Sequence, residues 1–169
     1  MLGLTSAALV ALIAASPSLH PVASAVNRPA GKCSPGAAVS LRIAATTDVH
    51  GHIRGWNYYD DRVDPLRGLA RAATIVDSVR SANPGRVLLV DAGDMLQGTP
   101  LAYLAARISR SRTNPIVAAM NAMRYDAAVI GNHEFNYGVP YLDSAVAQAT
   151  FPMLAANVSL NGATHPYSS

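Results

Sequence analysis

Three short polar clusters follow one another along the chain, and each closes an apolar run that is typical of a buried strand. They are Asp-Val-His-Gly-His at 48–52, Gly-Asp-Met-Leu-Gln-Gly at 93–98 and Gly-Asn-His-Glu at 131–134. Five of their residues carry carboxylate, amide or imidazole donors: Asp48, His50, Asp94, Asn132 and His133. Such oxygen and nitrogen donors suit divalent metals such as Mn, Zn, Fe, Co and Mg. The three clusters therefore predict a two-metal centre that hydrolyses phosphate esters.

Each of the five residues has a role that suits its chemistry. Two cations about 3.5–4 Å apart share a carboxylate in such centres, and Asp94 is the natural bridge. Asp48 and His50, two residues apart, can hold one metal from the same turn, and Asn132 offers an amide oxygen to the second. His133 would then face the substrate, where an imidazole can stabilise transition-state charge and donate a proton to the leaving oxygen.

Three further residues near the clusters leave alternatives open. His52 is a metal ligand, a residue on the substrate side or a structural histidine. Asp91 and Glu134 either orient the ligands through hydrogen bonds or are turn residues.

Strands alternate with helices between the clusters, which is the pattern of a layered α/β fold. The predicted strands are 41–46, 86–91, 127–130 and 153–156, and the predicted helices are 66–82, 100–109, 115–123 and 140–149. The strands are continuous apolar runs, which is typical of parallel strands buried on both faces. Ligands of such sheets gather at the carboxyl ends of the strands, where all three clusters lie.

The composition indicates a folded domain, or part of a larger one, with a sizeable core: 50% of the 169 residues are hydrophobic and 14% are charged. The 13 Lys and Arg against 10 Asp and Glu are scattered singly, so no nucleic-acid polymer is expected as a partner. A mild positive charge still attracts phosphorylated small molecules. Cys33 is the single cysteine, which excludes an internal disulfide.

The first 25 residues have the pattern of a signal peptide: an apolar stretch at 2–15, Pro17, and a small-residue cleavage site, Ala-Ser-Ala, at 23–25. No Lys or Arg precedes the apolar stretch, which is atypical. The stretch is shorter than the roughly 20 apolar residues of a membrane span, so no stable membrane span is expected. We therefore expect export to the periplasm, cell surface or extracellular space, with residues 26–39 as a linker.

From residue 41 to 158 the sequence resembles the calcineurin-like metallophosphoesterases, and within them the exported 5'-nucleotidase group. The resemblance rests on Thr-Thr-Asp-Val-His-Gly-His at 46–52, Val-Asp-Ala-Gly-Asp at 90–94 and Gly-Asn-His-Glu-Phe at 131–135. It implies a layered α/β sandwich of the metallophosphoesterase type that binds two divalent metal ions.

The resemblance also implies a role for each of the five residues. It implies that Asp48 and His50 bind one metal, that Asp94 bridges, that Asn132 binds the other metal and that His133 is the catalytic histidine.

Finer features are similar to the 2',3'-cyclic-nucleotide 2'-phosphodiesterase/3'-nucleotidase branch. 5'-Nucleotidases proper commonly carry an aspartate three residues after the catalytic histidine, and Asn136 stands there instead. Tyr-Tyr-Asp at 58–60 and Gln-Gly-Thr-Pro-Leu at 97–101 also fit this branch, whereas His52 is closer to the 5'-nucleotidase pattern. The resemblance implies hydrolysis of 2',3'-cyclic nucleotides and 3'-nucleotides by metal-activated water, with a 5'-nucleotidase or nucleotide-sugar hydrolase as the alternative.

The family completes its second metal site with histidines further along the chain, including a Gly-His-x-His element, and then carries a nucleoside-binding domain. Only His165 follows His133 here, and it lies in no such motif. We therefore expect residues 40–169 to form the N-terminal part of the catalytic domain, without the C-terminal nucleoside-binding domain. A truncated, inactive remnant with a partial metal site is a further alternative.

Overall fold

The computed structural model of the chain describes residues 11–13, 38–109, 113–159 and 167. Its main sheet has five strands: β1 (Ala11–Ile13), β2 (Arg42–Thr46), β5 (Val87–Asp91), β6 (Ala127–Val129) and β7 (Met153–Leu154). They lie side by side in the order β1-β2-β5-β6-β7. All neighbours pair in parallel except β1, which runs antiparallel to β2. The carboxyl ends of β2, β5 and β6 therefore meet at one edge of the sheet.

Helices connect the parallel strands, as the alternating pattern predicts. They are α1 (Leu69–Ala82), α2 (Pro100–Tyr103), a π-helical segment (Leu104–Ile108), α3 (Pro115–Met123), a 3₁₀ turn (Asn132–Phe135) and α4 (Val139–Val146). The α/β class and the types of the predicted elements are confirmed, but several bounds differ: α4 ends three residues earlier than predicted and β7 two residues earlier. Helix α1 begins three residues later than predicted, because Asp64 accepts the N–H of Leu66 and holds a turn there. The predicted helix at 100–109 becomes π-helical after Tyr103.

The core lies between one face of the sheet and helices α1, α3 and α4. Buried strand residues Ala44, Leu89 and Ala128 belong to the same apolar cluster as Val76 of α1 and Met120 of α3.

The opposite face of the sheet corrects the expectation that both faces are buried. Ile43, Leu88 and Val129 point to that face and are 46%, 37% and 48% exposed. The described helices pack on the face that carries Ala44, Leu89 and Ala128. Within the described part of the chain, the apolar strand residues are therefore covered on that face only.

A second, two-stranded sheet joins β3 (Trp56–Asn57) to β4 (Arg62–Val63) in an antiparallel hairpin that the sequence pattern does not predict. The side chain of Asn57 accepts the N–H groups of Tyr59 and Asp60, which fixes the turn between them.

Only three residues of the predicted signal peptide are described, and their strand β1 covers the free edge of β2. The rest of that segment and positions 26–37 of the predicted linker lie outside the described residues. No helix in the described part of the chain has the length and apolar character needed to cross a bilayer.

Candidate metal centre

Side chains from three loops converge at the carboxyl edge of the sheet. His50 follows β2, Asp94 follows β5 and His133 follows β6. Each offers one ligand atom, and these three atoms lie within 4.8 Å of one another. The rings of His50 and His133 meet edge to face, with their centroids 5.1 Å apart. The structure thus brings together residues that are 39 to 83 positions apart in sequence, as the placement at strand ends predicts.

The loop after β2 is held against the loop after β5 by backbone hydrogen bonds. Asp48 N donates to Gly93 O at 3.1 Å, and His50 N donates to Asp94 O at 2.9 Å. Three of the candidate ligands have left-handed backbones: φ is +52° at Asp48, +47° at His50 and +63° at Asp94. Such angles are uncommon for residues other than glycine, and they cluster at functional sites where the surrounding structure fixes them.

Hydrogen bonds orient the side chains of His50 and Asp48. Nδ1 of His50 lies 2.7 Å from the carbonyl oxygen of Gln97, so Nδ1 carries the proton and Nε2 keeps its lone pair. That Nε2 lies 3.6 Å from Oδ1 of Asp48. The Thr47 hydroxyl donates to Oδ2 of Asp48 and orients the carboxylate. Two lone pairs therefore face each other across a gap that a cation would fill, which fits the predicted metal pair of Asp48 and His50.

Asp94 and His133 are linked directly. The backbone N–H of His133 donates to Oδ1 of Asp94 at 2.9 Å, which orients the carboxylate of Asp94. Gly93 and Gly131 allow the two loops to approach closely, because a Cβ atom at Gly93 would lie 2.8 Å from Gly131 N. The bridging position predicted for Asp94 is consistent with this location between the other two loops.

Asn132 directly precedes His133 in the sequence, and Asn136 follows it by three residues. Asn132 is exposed and begins the 3₁₀ turn, and its side chain has no hydrogen-bond partner in the described segments, so its amide oxygen is available to a ligand. Nδ2 of Asn136 donates to Nδ1 of His133 at 2.9 Å. The neutral ring therefore carries its proton on Nε2. The metal role of Asn132 stays a prediction, because its side chain is not tied to the other ligands.

Asp91 lies in the core behind the centre. Its carboxyl accepts the Thr46 hydroxyl at 2.5 Å and Gly93 N at 2.8 Å, and the Thr46 hydroxyl also bonds the Tyr125 hydroxyl at 2.8 Å. Burial raises the pKa of Asp91 to about 7, although both of its own hydrogen bonds oppose the shift. Asp91 therefore joins β2 to β5 at the point where both strands end.

His52 lies beside the centre, with its ring centroid 6.2 Å from that of Tyr58. Its Nδ1 is buried and has no hydrogen-bond partner among the described residues. Burial, followed by the charge of Arg67, lowers its pKa, which favours the neutral ring. His52 also lines a cavity of about 130 Å³ with Tyr58 and Arg67. His52 does not belong to the group of ligand atoms at the centre, and a substrate-side or structural role for it stays a prediction.

Three parts of the site have no signal in the sequence pattern, or only a weak one. The carbonyl of Gln97 is a backbone group, and Thr47 is identifiable only as part of a motif. The left-handed angles have a weak signal, since Asp and His tolerate that conformation better than most residues. Glu134, by contrast, is indicated by the sequence as a residue that orients the ligands or lies in a turn. In the structure it is completely buried and accepts hydrogen bonds from both the β5 loop and the β6 loop.

Comparison with known proteins agrees with this geometry. Residues 41–161 match the family described as calcineurin-like phosphoesterase. The trifunctional nucleotide phosphoesterase protein YfkN of Bacillus subtilis is 39% identical over 165 residues, which are 94% of this chain and 10% of that protein. The crystal structure of the calcineurin-like phosphoesterase YfkN from Bacillus subtilis matches with a TM-score of 0.70 and 41% identity, over 76% of this chain and 40% of that chain.

Two relatives represent the branches that the sequence leaves open. A 2',3'-cyclic-nucleotide 2'-phosphodiesterase/3'-nucleotidase of Haemophilus influenzae is 44% identical over 131 residues, covering 76% of this chain and 20% of that protein. The 5'-nucleotidase of Homo sapiens is 39% identical over 129 residues, covering 72% of this chain and 21% of that protein. The chain spans only 10% to 21% of the length of these curated relatives.

Proposed function

The chain belongs to the calcineurin-like phosphoesterase family, and from this premise we propose that it hydrolyses nucleotide phosphoesters, chiefly 2',3'-cyclic nucleotides and 3'-nucleotides. The observation that carries the proposal is the meeting of His50, Asp94 and His133, with ligand atoms within 4.8 Å of one another. The named activities of the relatives at 44% and 39% identity support a nucleotide substrate.

We propose that this centre holds two divalent cations. Asp48 and His50 would hold one, Asn132 would hold the other, and Asp94 would serve both. Bound cations of this kind polarise the phosphoryl group and lower the pKa of a water molecule. The free Nε2 of His50 and the oriented carboxylate of Asp48 support this assignment.

His133 acts on the leaving oxygen in this proposal. Its Nδ1 accepts from Asn136, so the proton of the neutral ring is on Nε2, the nitrogen that is not bound to Asn136. A proton held there can be donated to the leaving alcohol oxygen, and the N–H can stabilise charge that develops on the phosphoryl oxygens. Asn136 holds the ring in this tautomer without adding a charge of its own.

The identity of Asn136 supports the cyclic-nucleotide branch over the 5'-nucleotidase branch. A carboxylate at that position would stabilise a protonated His133, whereas an amide does so less. A 5'-nucleotidase or nucleotide-sugar hydrolase is the alternative, because the chain is also 39% identical to the human 5'-nucleotidase.

The activity test uses the chain with Mn²⁺ and compares 2',3'-cyclic AMP, 3'-AMP and 5'-AMP. We expect the first two to be hydrolysed faster, with activity falling roughly 100-fold or more in Asp94→Asn and His133→Asn. Asp61→Asn, on the exposed hairpin turn, is the matched control and should keep the activity of the unmodified chain. Activity that survives both site substitutions would overturn the proposal, and faster hydrolysis of 5'-AMP would favour the alternative.

We also propose that the chain is exported and that cleavage follows Ala25. The small residues at 23–25 after an apolar stretch support this. N-terminal sequencing of the secreted protein should then begin at Val26, and a cell-associated product that retains residues 2–15 would contradict it.

A further inference from the structure

Glu134 is the only glutamate of the chain, and its carboxylate is completely buried. No lysine or arginine within the described ranges forms an ion pair with it. Burial of a carboxylate is costly unless hydrogen bonds replace its hydration. Here both oxygens are fully engaged, and all the partners are backbone N–H groups. The side chain therefore binds backbone instead of a cationic side chain.

The four donors come from two different loops. Oε1 accepts Met95 N at 2.7 Å and Leu96 N at 3.0 Å. Oε2 accepts Asp94 N at 2.8 Å and Gly131 N at 2.7 Å. Three of these N–H groups belong to the loop after β5, and the fourth belongs to the turn after β6. One carboxylate thus joins the two loops that carry Asp94 and His133.

A further hydrogen bond joins the same two loops in the opposite direction. While Glu134 accepts the N–H of Asp94, the carboxylate of Asp94 accepts the N–H of His133, the residue before Glu134. Each loop therefore gives an acidic side chain to the backbone of the other. This reciprocal arrangement of Glu134 and Asp94 is called the carboxylate clasp below.

The clasp explains how Asp94 keeps an unfavourable backbone. Its φ of +63° lies in the left-handed region, which is unfavourable for a residue with a side chain. In that conformation the consecutive N–H groups of 94–96 turn toward one acceptor, and Glu134 supplies it. Without such an acceptor these three donors, two of them buried, would be unsatisfied, and the loop would relax toward ordinary angles.

We propose that Glu134 is a positioning residue that fixes the carboxylate of Asp94 and the ring of His133 relative to each other before any cation binds. The proposal rests on the proposed function in treating Asp94 as a ligand. Its effect reaches the reacting groups through the backbone only. Preorganised ligands need no rearrangement on binding, so the clasp should raise the affinity of the centre for a cation.

Glu134→Gln is the test, because it keeps the size of the side chain and changes one oxygen to NH₂. Whichever way the amide turns, its NH₂ faces two N–H donors and two hydrogen bonds are lost. We expect the Mn²⁺ dissociation constant to rise about 10- to 100-fold, as for other groups that orient ligands. In the metal-free protein we expect faster amide hydrogen exchange at Met95, Leu96 and Gly131.

Asp126→Asn is the matched control. Its carboxylate accepts one backbone N–H, that of Leu89 in β5, at 2.8 Å and away from the loops of the clasp. Its amide oxygen can still accept Leu89 N, so this variant should keep the Mn²⁺ affinity and the exchange rates of residues 94–96. A high concentration of Mn²⁺ should restore phosphoesterase activity in Glu134→Gln but not in Asp94→Asn, which separates positioning from ligation.

The exchange measurement separates this proposal from the proposed function. Unchanged exchange at Met95, Leu96 and Gly131 in Glu134→Gln, or unchanged Mn²⁺ affinity, would overturn the positioning role. Absence of Mn²⁺ binding by the unmodified chain would instead count against the metal centre. If Glu134→Gln does not fold, amide hydrogen exchange in the unmodified protein tests the positioning role instead. The three amides should open in one event, and independent opening of Gly131 would refute the clasp.

Discussion

Asparagine in place of Asp91 should remove a pH dependence that this carboxyl imposes on stability. The carboxyl is 2% exposed, and burial raises its pKa from 3.8 to about 7. Because the folded pKa is the higher one, the folded chain keeps a proton between pH 4 and 7 that the unfolded chain has lost. The stabilisation of the folded chain that comes from protonated Asp91 is therefore complete below about pH 4 and is lost as the pH rises through 7.

The magnitude follows from the size of the shift. A difference of about three pKa units, at roughly 1.4 kcal/mol per unit, makes the free energy of unfolding fall by about 4 kcal/mol between pH 4 and 8. The amide introduced by Asp91→Asn has no charge to bury. Its oxygen can still accept Gly93 N, and its NH₂ can donate to the Thr46 hydroxyl. The free energy of unfolding of Asp91→Asn, relative to the unmodified chain, should thus rise by about 4 kcal/mol over this range.

The assay is urea unfolding followed by circular dichroism at pH 4 to 8, without metal ions. Asp61→Asn is the control, because that carboxyl lies on the exposed turn between β3 and β4. It should leave the pH dependence of the unmodified chain in place. A difference between Asp91→Asn and the unmodified chain that stays constant over this range, or that falls as the pH rises, would refute the reasoning.

Two other pairs of substitutions test the supports of the site and the core. Gly93→Ala should destabilise the fold by roughly 3 kcal/mol or more, because the added Cβ would lie 2.8 Å from Gly131 N. The Cβ added by Gly85→Ala would have no atom within 4 Å, so this variant should lose only about 1 kcal/mol of stability. Thermal unfolding measures both losses. Equal losses in the two variants would contradict the close packing of the loops. Asn114→Ala should cost about 1–2 kcal/mol, because its Oδ1 caps α3 by accepting Ile116 N and Val117 N, whereas Asn114→Asp keeps the cap and should cost less. Equal melting temperatures of these two variants would exclude a capping role.

Local signals in the sequence explain which elements could be predicted. Helix α3 has the predicted bounds because Asn114 and Pro115 form a cap and a first turn that depend on no distant contact. The change to π-helix after Tyr103 has no such signal, and neither do the two-residue strands β3 and β4. An amphipathic period needs more residues than these segments contain.

The meeting of His50, Asp94 and His133 could be predicted from the sequence, whereas the hydrogen bonds that hold them could not. Placing Asp94 and His133 at strand ends is enough to bring them to one edge of the sheet. The sequence indicates Glu134 as a residue that orients the ligands or lies in a turn, but it does not indicate the partners of Glu134, because backbone N–H groups are common to every sequence. The exposed face at Ile43, Leu88 and Val129 could not be predicted either, because an apolar strand pattern does not say which elements cover each side.

The central claim is that three loops provide one centre for two cations. Crystals of the chain grown with Zn²⁺, with diffraction measured at the zinc absorption edge, test it most directly. We predict two anomalous peaks that share Asp94, one about 2.0–2.2 Å from donor atoms of Asp48 and His50 and the other at that distance from Asn132. Peaks that leave out Asp94, or Zn²⁺ bound only away from the ends of β2, β5 and β6, would contradict the account.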